Sequence, residues 1–162
     1  MIFYVQAGNV YIVSASANRV VSVRASSGVM RTVAGVRGQS GYNGDAIPAT
    51  TAYLKSPYAV CVDSAGNVFI ADSGNYRIRK VVNGIIYTIA GTSTNAAYPD
   101  GNFATASSLY SATDLTLDSK NNLYFAETGN NKIRVVNAVS GLYTNSYSYL
   151  RCYCFLLHYF LQ

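Results

Sequence analysis

Residues 63–81 read DSAGNVFIADSGNYRIRKV, and residues 118–136 read DSKNNLYFAETGNNKIRVV. A worn copy, GNVYIVSASANRVVSV, occupies residues 8–23. The offsets are 55 residues from Asn67 to Asn122 and 58 from Gly8 to Gly66. Recurrence at this spacing signals an array of like units, so the repeat is read before anything else.

Outward from the best copy, four short segments follow one another: 58–62, 67–71, 77–82 and 85–90. Each is rich in β-branched or aromatic residues and has ordinary strand length. The breaks carry turn chemistry: SAGN at 64–67, DSGN at 72–75 and NG at 83–84. A two-residue Asn-Gly between apolar runs is a strong hairpin signal. The unit is predicted to be a four-stranded antiparallel meander. Val68 and Ile70 fall on one face, Phe69 and Ala71 on the other, so both faces are apolar. A recurring four-stranded unit that must bury both faces is the blade of a β-propeller. The predicted fold is all-β, a partial β-propeller of about three four-stranded antiparallel blades. They cover about 1–35, 58–91 and 113–143, with Thr32-Val33-Ala34-Gly35 and Thr88-Ile89-Ala90-Gly91 as shared ends. In the long connections, Asp45 matches Asp100, Ala49-Thr50 match Ala104-Thr105, and Leu54 matches Leu109. Residues 144–162 break the pattern. They form an apolar, Tyr-rich tail, read here as foreign to the repeat, with a closing strand or helix as the alternative.

Half of the 162 residues are hydrophobic and only 12% are charged, with 15 Tyr, 13 Gly and no Trp. The net charge of +5 lies in residues 1–90, with eight Lys/Arg against three Asp/Glu; the remainder is balanced. That balance is read as ordinary solvated charge rather than a basic tract. Three Cys do not make a disulfide framework, and Cys61 within an apolar strand reads as a buried thiol. Cys152 and Cys154, with His158 as the lone His, support no zinc site. No cofactor or metal is expected. The opening MIFYVQAGNV lacks the basic start of a signal peptide, and no run approaches a membrane span.

The repeat resembles the NHL repeat family. The resemblance rests on GNVFIADSGNYRIRKV (66–81), NNLYFAETGNNKIRVV (121–136), the Ala-Gly ends at 34–35 and 90–91, and GYNGDAIPATTAYLKSPYAVCVD (41–63). It implies a propeller, commonly six-bladed, of a kind that acts mostly as a binding platform. Some such propellers bind proteins, some bind RNA, and a few are enzymes or extracellular sensor domains. The first copy departs from the pattern, with Ser14 where Asp72 and Glu127 stand.

Asp72 with Arg77, and Glu127 with Lys132, flank the turn between the second and third strands. They are read as structural pairs, with the carboxylate accepting turn N–H groups and facing the basic side chain across the hairpin. Asp45 and Asp100 stand alone in Gly-rich connections and read as turn formers, since a Ca²⁺ loop needs several oxygen ligands. GVRGQSG (35–41) lacks the Lys-Ser/Thr of a phosphate loop. No His lies within a repeat, so no Ser-His-Asp set is visible and the chain is expected not to be an enzyme. Tyr76-Arg77 with Arg79 and Lys80 gives a local version of an RNA platform. Antiparallel geometry puts the second-to-third turn and the long connection at the same end. The candidate binding rim is therefore Arg37, Tyr42, Asn43, Asn75, Tyr76, Tyr98, Asp100, Asn130 and Asn131. The leading expectation is a non-enzymatic platform for a protein partner. The alternative is an extracellular ligand-sensing or glycan-binding segment of a larger receptor, with RNA binding or a propeller lyase or hydrolase third. Three blades also leave two open faces, so self-association is expected.

Overall fold

A computed structural model describes residues 2–6, 8–94, 101–141 and 143–148, with 2–6 and 143–148 as backbone. The chain forms three antiparallel sheets in sequence order. The first holds β1 (Ile2–Gln6), β2 (Asn9–Ser14), β3 (Arg19–Arg24) and β4 (Met30–Ala34). The second adds a short edge strand, β5 (Ile47–Pro48), to β6 (Ala59–Val62), β7 (Val68–Asp72), β8 (Arg77–Val82) and β9 (Ile85–Ala90). The third holds β10 (Ala112–Leu117), β11 (Leu123–Glu127), β12 (Lys132–Val136) and β13 (Tyr143–Ser148). The fold is all-β and matches a partial β-propeller, as expected from the repeat. One detail differs: the second blade has five strands, because Ile47 and Pro48 pair with Ile86 and Ile85 along the outer edge. Proline is tolerated there because an edge residue owes the ladder no second hydrogen bond.

The third blade finds its fourth strand in Tyr143–Ser148, where Tyr143 pairs with Val136 and Ser148 with Lys132. Residues 144–148 are thus part of that sheet. The rest of the tail, with Cys152, Cys154 and His158, lies outside the described residues.

The two-faced pattern of β7 has the predicted consequence. Val68 and Ile70, with Val60, Val62, Val81 and Ile86, pack with Val13, Val20 and Ala34 of the first sheet. Phe69 and Ala71, with Ala59, Cys61, Ile78 and Ala90, pack with Leu115, Leu123, Phe125 and Val136 of the third. Each Val, Ile, Leu or Phe among them that is fully removed from water contributes roughly 1.5–3 kcal/mol. The second sheet is therefore buried on both faces and needs both neighbours. Cys61 lies in this core, and burial first, then Asp114 and Asp63, pushes its thiol far above the usual range.

The long connections are structural. Gly35 N–H donates to the Ala49 carbonyl (3.0 Å), and Ala49 N–H donates to the Gly84 carbonyl (2.8 Å). The next connection repeats this, from Gly91 to Ala104 (3.0 Å) and from Ala104 to Gly141 (2.9 Å). Each connection so stitches the end of one blade to the outer hairpin of the next. Ala49, Leu54, Ala104 and Leu109 are buried as its anchors. This accounts for the matched Ala and Leu positions.

Candidate functional site

The rim is built around the end of β7 and the connection that crosses it. Asp72 closes β7 and is fully buried. One carboxylate oxygen, Oδ1, accepts the Lys55 backbone N–H at 2.8 Å. The other, Oδ2, accepts Asn75 Nδ2 at 2.8 Å and lies 3.5 Å from Arg79 Nη1. Arg79 is also fully buried. Its Nη2 donates to Asp45 Oδ1 and to the Gly44 carbonyl, both at 2.8 Å. Asp45 further accepts Thr88 Oγ1 (3.0 Å) and the Tyr42 hydroxyl (3.0 Å). A buried cation thus bridges a buried carboxylate on the blade to a half-exposed one on the connection.

This corrects the expected pairing. Arg77 is the register partner of Asp72, yet Asp72 is met by Arg79, which stands opposite Ile70. The diagonal neighbour also lies within reach of a long side chain, and Arg77 has other partners. Arg77 turns outward instead, donating to the Asn75 carbonyl (3.0 Å) and stacking 3.9 Å from the centre of the Tyr42 ring. The backbone group that Asp72 satisfies belongs to the connection and not to the turn. Asp45 likewise proves to be the counter-ion of Arg79 rather than a turn former.

The third blade repeats the device with one more methylene. Glu127 Oε1 accepts Tyr110 N–H (2.7 Å) and Asn130 Nδ2 (2.9 Å), and Arg134 Nη1 lies 3.5 Å from Oε2. Here too the cation is Arg134, two residues beyond the expected Lys132. The first blade has Ser14 and Val21 at the two positions. A signal for this was present: the acid and the cation seven residues on are lost together, whereas the base five residues on persists as Arg19 without any acid.

Burial pushes the Asp72 carboxyl up to about 6; the Asn75 amide, the Lys55 N–H and Arg79 offset it only in part. The distances support that direction, since Arg79 spends its shorter contact on Asp45 (2.8 Å against 3.5 Å).

The predicted rim residues separate into two groups. Asn75 is buried, donating 2.6 Å to the Gly41 carbonyl as well as to Asp72, and Asn130 serves Glu127. Asn43 clamps its own connection, donating to the Thr51 carbonyl (3.0 Å) and accepting Tyr53 N–H (2.7 Å). Asn131 and Tyr76 hold left-handed backbone (φ 52° and 55°) at the turn, as does Asn18 (51°) in the first blade. These positions fasten the scaffold. At the surface stand Arg37, Tyr42 (40% exposed) with Arg77 on its ring, and Tyr76 tilted against Tyr110 with ring centres 6.2 Å apart. Tyr110 was not singled out in the sequence; it stands at the start of the third blade and meets Tyr76 only across the blade junction. Tyr98 and Asp100 lie outside the described residues. The expected aromatic-basic platform loses Arg79 to the interior, and Lys80 lies over Phe69 (5.0 Å) away from the rim. Among the described residues no group of three His, Cys, Asp or Glu could hold a metal ion.

Residues 54–81 match the NHL repeat. That segment holds Leu54, Lys55, Asp72, Asn75 and Arg79, so the match falls on the buried network itself. The family match is to this one repeat, in the second blade. A 35-residue stretch is 60% identical to Teneurin-1 of Caenorhabditis elegans, covering 22% of this chain and 1% of that protein. Among solved structures, a streptogramin B lyase is similar with a TM-score of 0.58 and 19% identity, over 88% of this chain and 38% of the lyase. A Bacteroides thetaiotaomicron protein of unknown function is similar with a TM-score of 0.63 and 21% identity, over 74% of this chain and 30% of that one. These likenesses show the propeller fold. The chain spans well under half the length of each of these relatives.

Proposed function

We propose that this chain is a non-enzymatic platform for a protein partner, contacted at the rim. The observation that carries the reading is the Tyr42–Arg77 stack. Its ring is held by the hydroxyl bond to Asp45 and its guanidinium by the Asn75 carbonyl, so an exposed aromatic and a cation are fixed before any partner arrives. Tyr76 and Tyr110 extend the same surface. Tyr and Arg dominate contact energy at protein interfaces because each buries a large area while keeping a polar tip. Fixing them beforehand removes part of the ordering cost of association.

The test is capture from lysate by the immobilised chain, with and without nuclease, at low and high salt. A protein partner held with weak salt dependence is expected. Tyr42→Ala combined with Tyr110→Ala should weaken capture at least about tenfold, the scale of one interface hot spot. Lys120→Gln, in an exposed turn of the third blade far from the rim, should leave it unchanged. RNA recovered in place of protein and lost at high salt would favour nucleic acid, because phosphate contacts release counterions.

A further inference from the structure

At the end of the first blade opposite the rim lies a cleft lined by Asn9, Tyr11, Ser22, Arg24, Val29 and Arg31. Register places Ser22 between Tyr11 and Arg31 on adjacent strands, and Asn9 opposite Arg24. Arg24 and Arg31 are therefore diagonal neighbours on one face, both exposed. Neither takes part in an ion pair among the described residues. The first 44 residues contain four Arg and no Asp or Glu, so no internal carboxylate lies nearby in the chain. The turn behind the cleft is tied down, with Arg24 N–H donating to the Val29 carbonyl (3.0 Å) and Gly28 N–H to the Arg24 carbonyl (2.8 Å).

The second blade does not repeat the cleft's lining. In the second blade Lys80 stands at the position of Ser22 and Phe69 at that of Tyr11, and the lysine lies across the ring, 5.0 Å from its centre. The first blade has a one-carbon side chain there, which leaves the space open. Val82 and Tyr87 stand where Arg24 and Arg31 do. The repeat thus carries a version plugged by a lysine and flanked by uncharged residues beside an open version flanked by two guanidinium groups.

We propose that this cleft binds a carboxylate side chain of an acidic peptide. The two arginines provide fork-shaped donor sets suited to a carboxylate. Ser22 and Asn9 add neutral hydrogen-bonding groups, and Tyr11 and Val29 form a wall for the methylenes of a glutamate. The site is at the opposite end of the blade from the Tyr42 rim and does not depend on that reading.

The experiment is fluorescence anisotropy of the full chain with a labelled peptide of alternating Glu and Gly, against a Gln-Gly peptide of the same length. Tighter binding of the Glu peptide is expected. Arg24→Gln with Arg31→Gln should weaken it about tenfold or more, the scale of one lost charge-assisted contact. Lys120→Gln removes the same charge from an exposed turn of the third blade and should change little. Ser22→Lys is the decisive variant. It adds a positive charge but refills the cleft as Lys80 does, and it should weaken binding. Stronger binding by Ser22→Lys, an equal loss from Lys120→Gln, or no preference for Glu over Gln would each overturn the proposal. So would complete displacement of the Glu peptide by a single-stranded RNA oligonucleotide at lower concentration, which would make the cleft a phosphate site. Circular dichroism of each variant confirms that an observed loss is not a loss of fold.

Discussion

Arg79 and Arg77 are two residues apart on one strand and have opposite fates. Arg79 is locked between Asp72 and Asp45 with no exposed surface, whereas Arg77 lies on the Tyr42 ring at the rim. Removing one partner of a buried pair strands the other charge in a medium that cannot solvate it, which costs roughly 3–5 kcal/mol. Arg79→Ala is therefore expected to lower unfolding stability by that order, measured by urea titration. Arg77→Ala should cost about 1 kcal/mol or less, the range for an exposed cation on a ring. Equal losses would return Arg77 to the structural role that its register position suggests.

The same network gives a pH dependence with a definite sign. The Asp72 carboxyl is raised to about 6 in the folded chain, against an ordinary 3.8. Between those values the folded state holds a proton that the unfolded state has released. Stability must then fall as pH rises from about 4 to about 6, and be flat above. A two-unit shift corresponds to about 3 kcal/mol across that window. Asp72→Asn should flatten this part of the profile in urea titrations at stepped pH. A variant profile with the wild-type slope would assign the window to another group.

At the scale of the element, the Ala-Gly end of the fourth strand records where two parts of one blade touch. Gly35 and Gly91 both have φ of +92°, and a Cβ there would collide with the carbonyl of Asn18 or Tyr76, the left-handed residue of the facing turn. Backbone cannot yield as a flexible side chain can. Gly91→Ala is expected to destabilise by more than the roughly 1 kcal/mol typical of a positive-φ glycine in open space. Gly66, also at positive φ (+84°) but with nothing near its Cβ position, is the matched control. Thermal unfolding of both variants checks this; equal shifts would mean that the close approach relaxes without cost. The Asn83-Gly84 turn is simpler: both residues take positive φ (49° and 79°), as a two-residue hairpin requires.

For the whole molecule, the second blade shows what a blade needs, which is a neighbour on each face. The face of the first sheet turned away from it carries Val10, Ile12 and Val23, none fully buried, and Met30 at 59% exposure. Among the described residues no sheet lies against that face. Apolar faces of this kind invite association. The chain is expected to sediment as dimers or larger species at tens of micromolar, roughly where weak apolar contacts first become populated. A single monomer boundary in sedimentation velocity, with Met30→Lys behaving identically, would count against it.

Most strands, the hairpins, the blade order and the two-faced second sheet were legible from residues 63–81 and their copies; the edge strand Ile47–Pro48 and the closing strand Tyr143–Ser148, which falls mostly in the stretch read as foreign to the repeat, were not. The reason is physical: alternation and turn chemistry act between near neighbours, and the sequence lists near neighbours directly. Val68 and Ile70 had to face one way and Phe69 and Ala71 the other, whatever lay beyond. Only the tertiary structure decided which cation meets Asp72. It alone decided that Asn75 and Asn43 are fasteners rather than contacts, and that Tyr110 joins Tyr76. Those choices depend on how the long connection runs across the end of the blade, bringing Asp45 to Arg79 over 34 positions and Asn75 to Gly41 over the same distance. Period and propensity say that such a connection exists. Which of two arginines it buries is decided by the space left between two sheets, and that space exists only once both have packed.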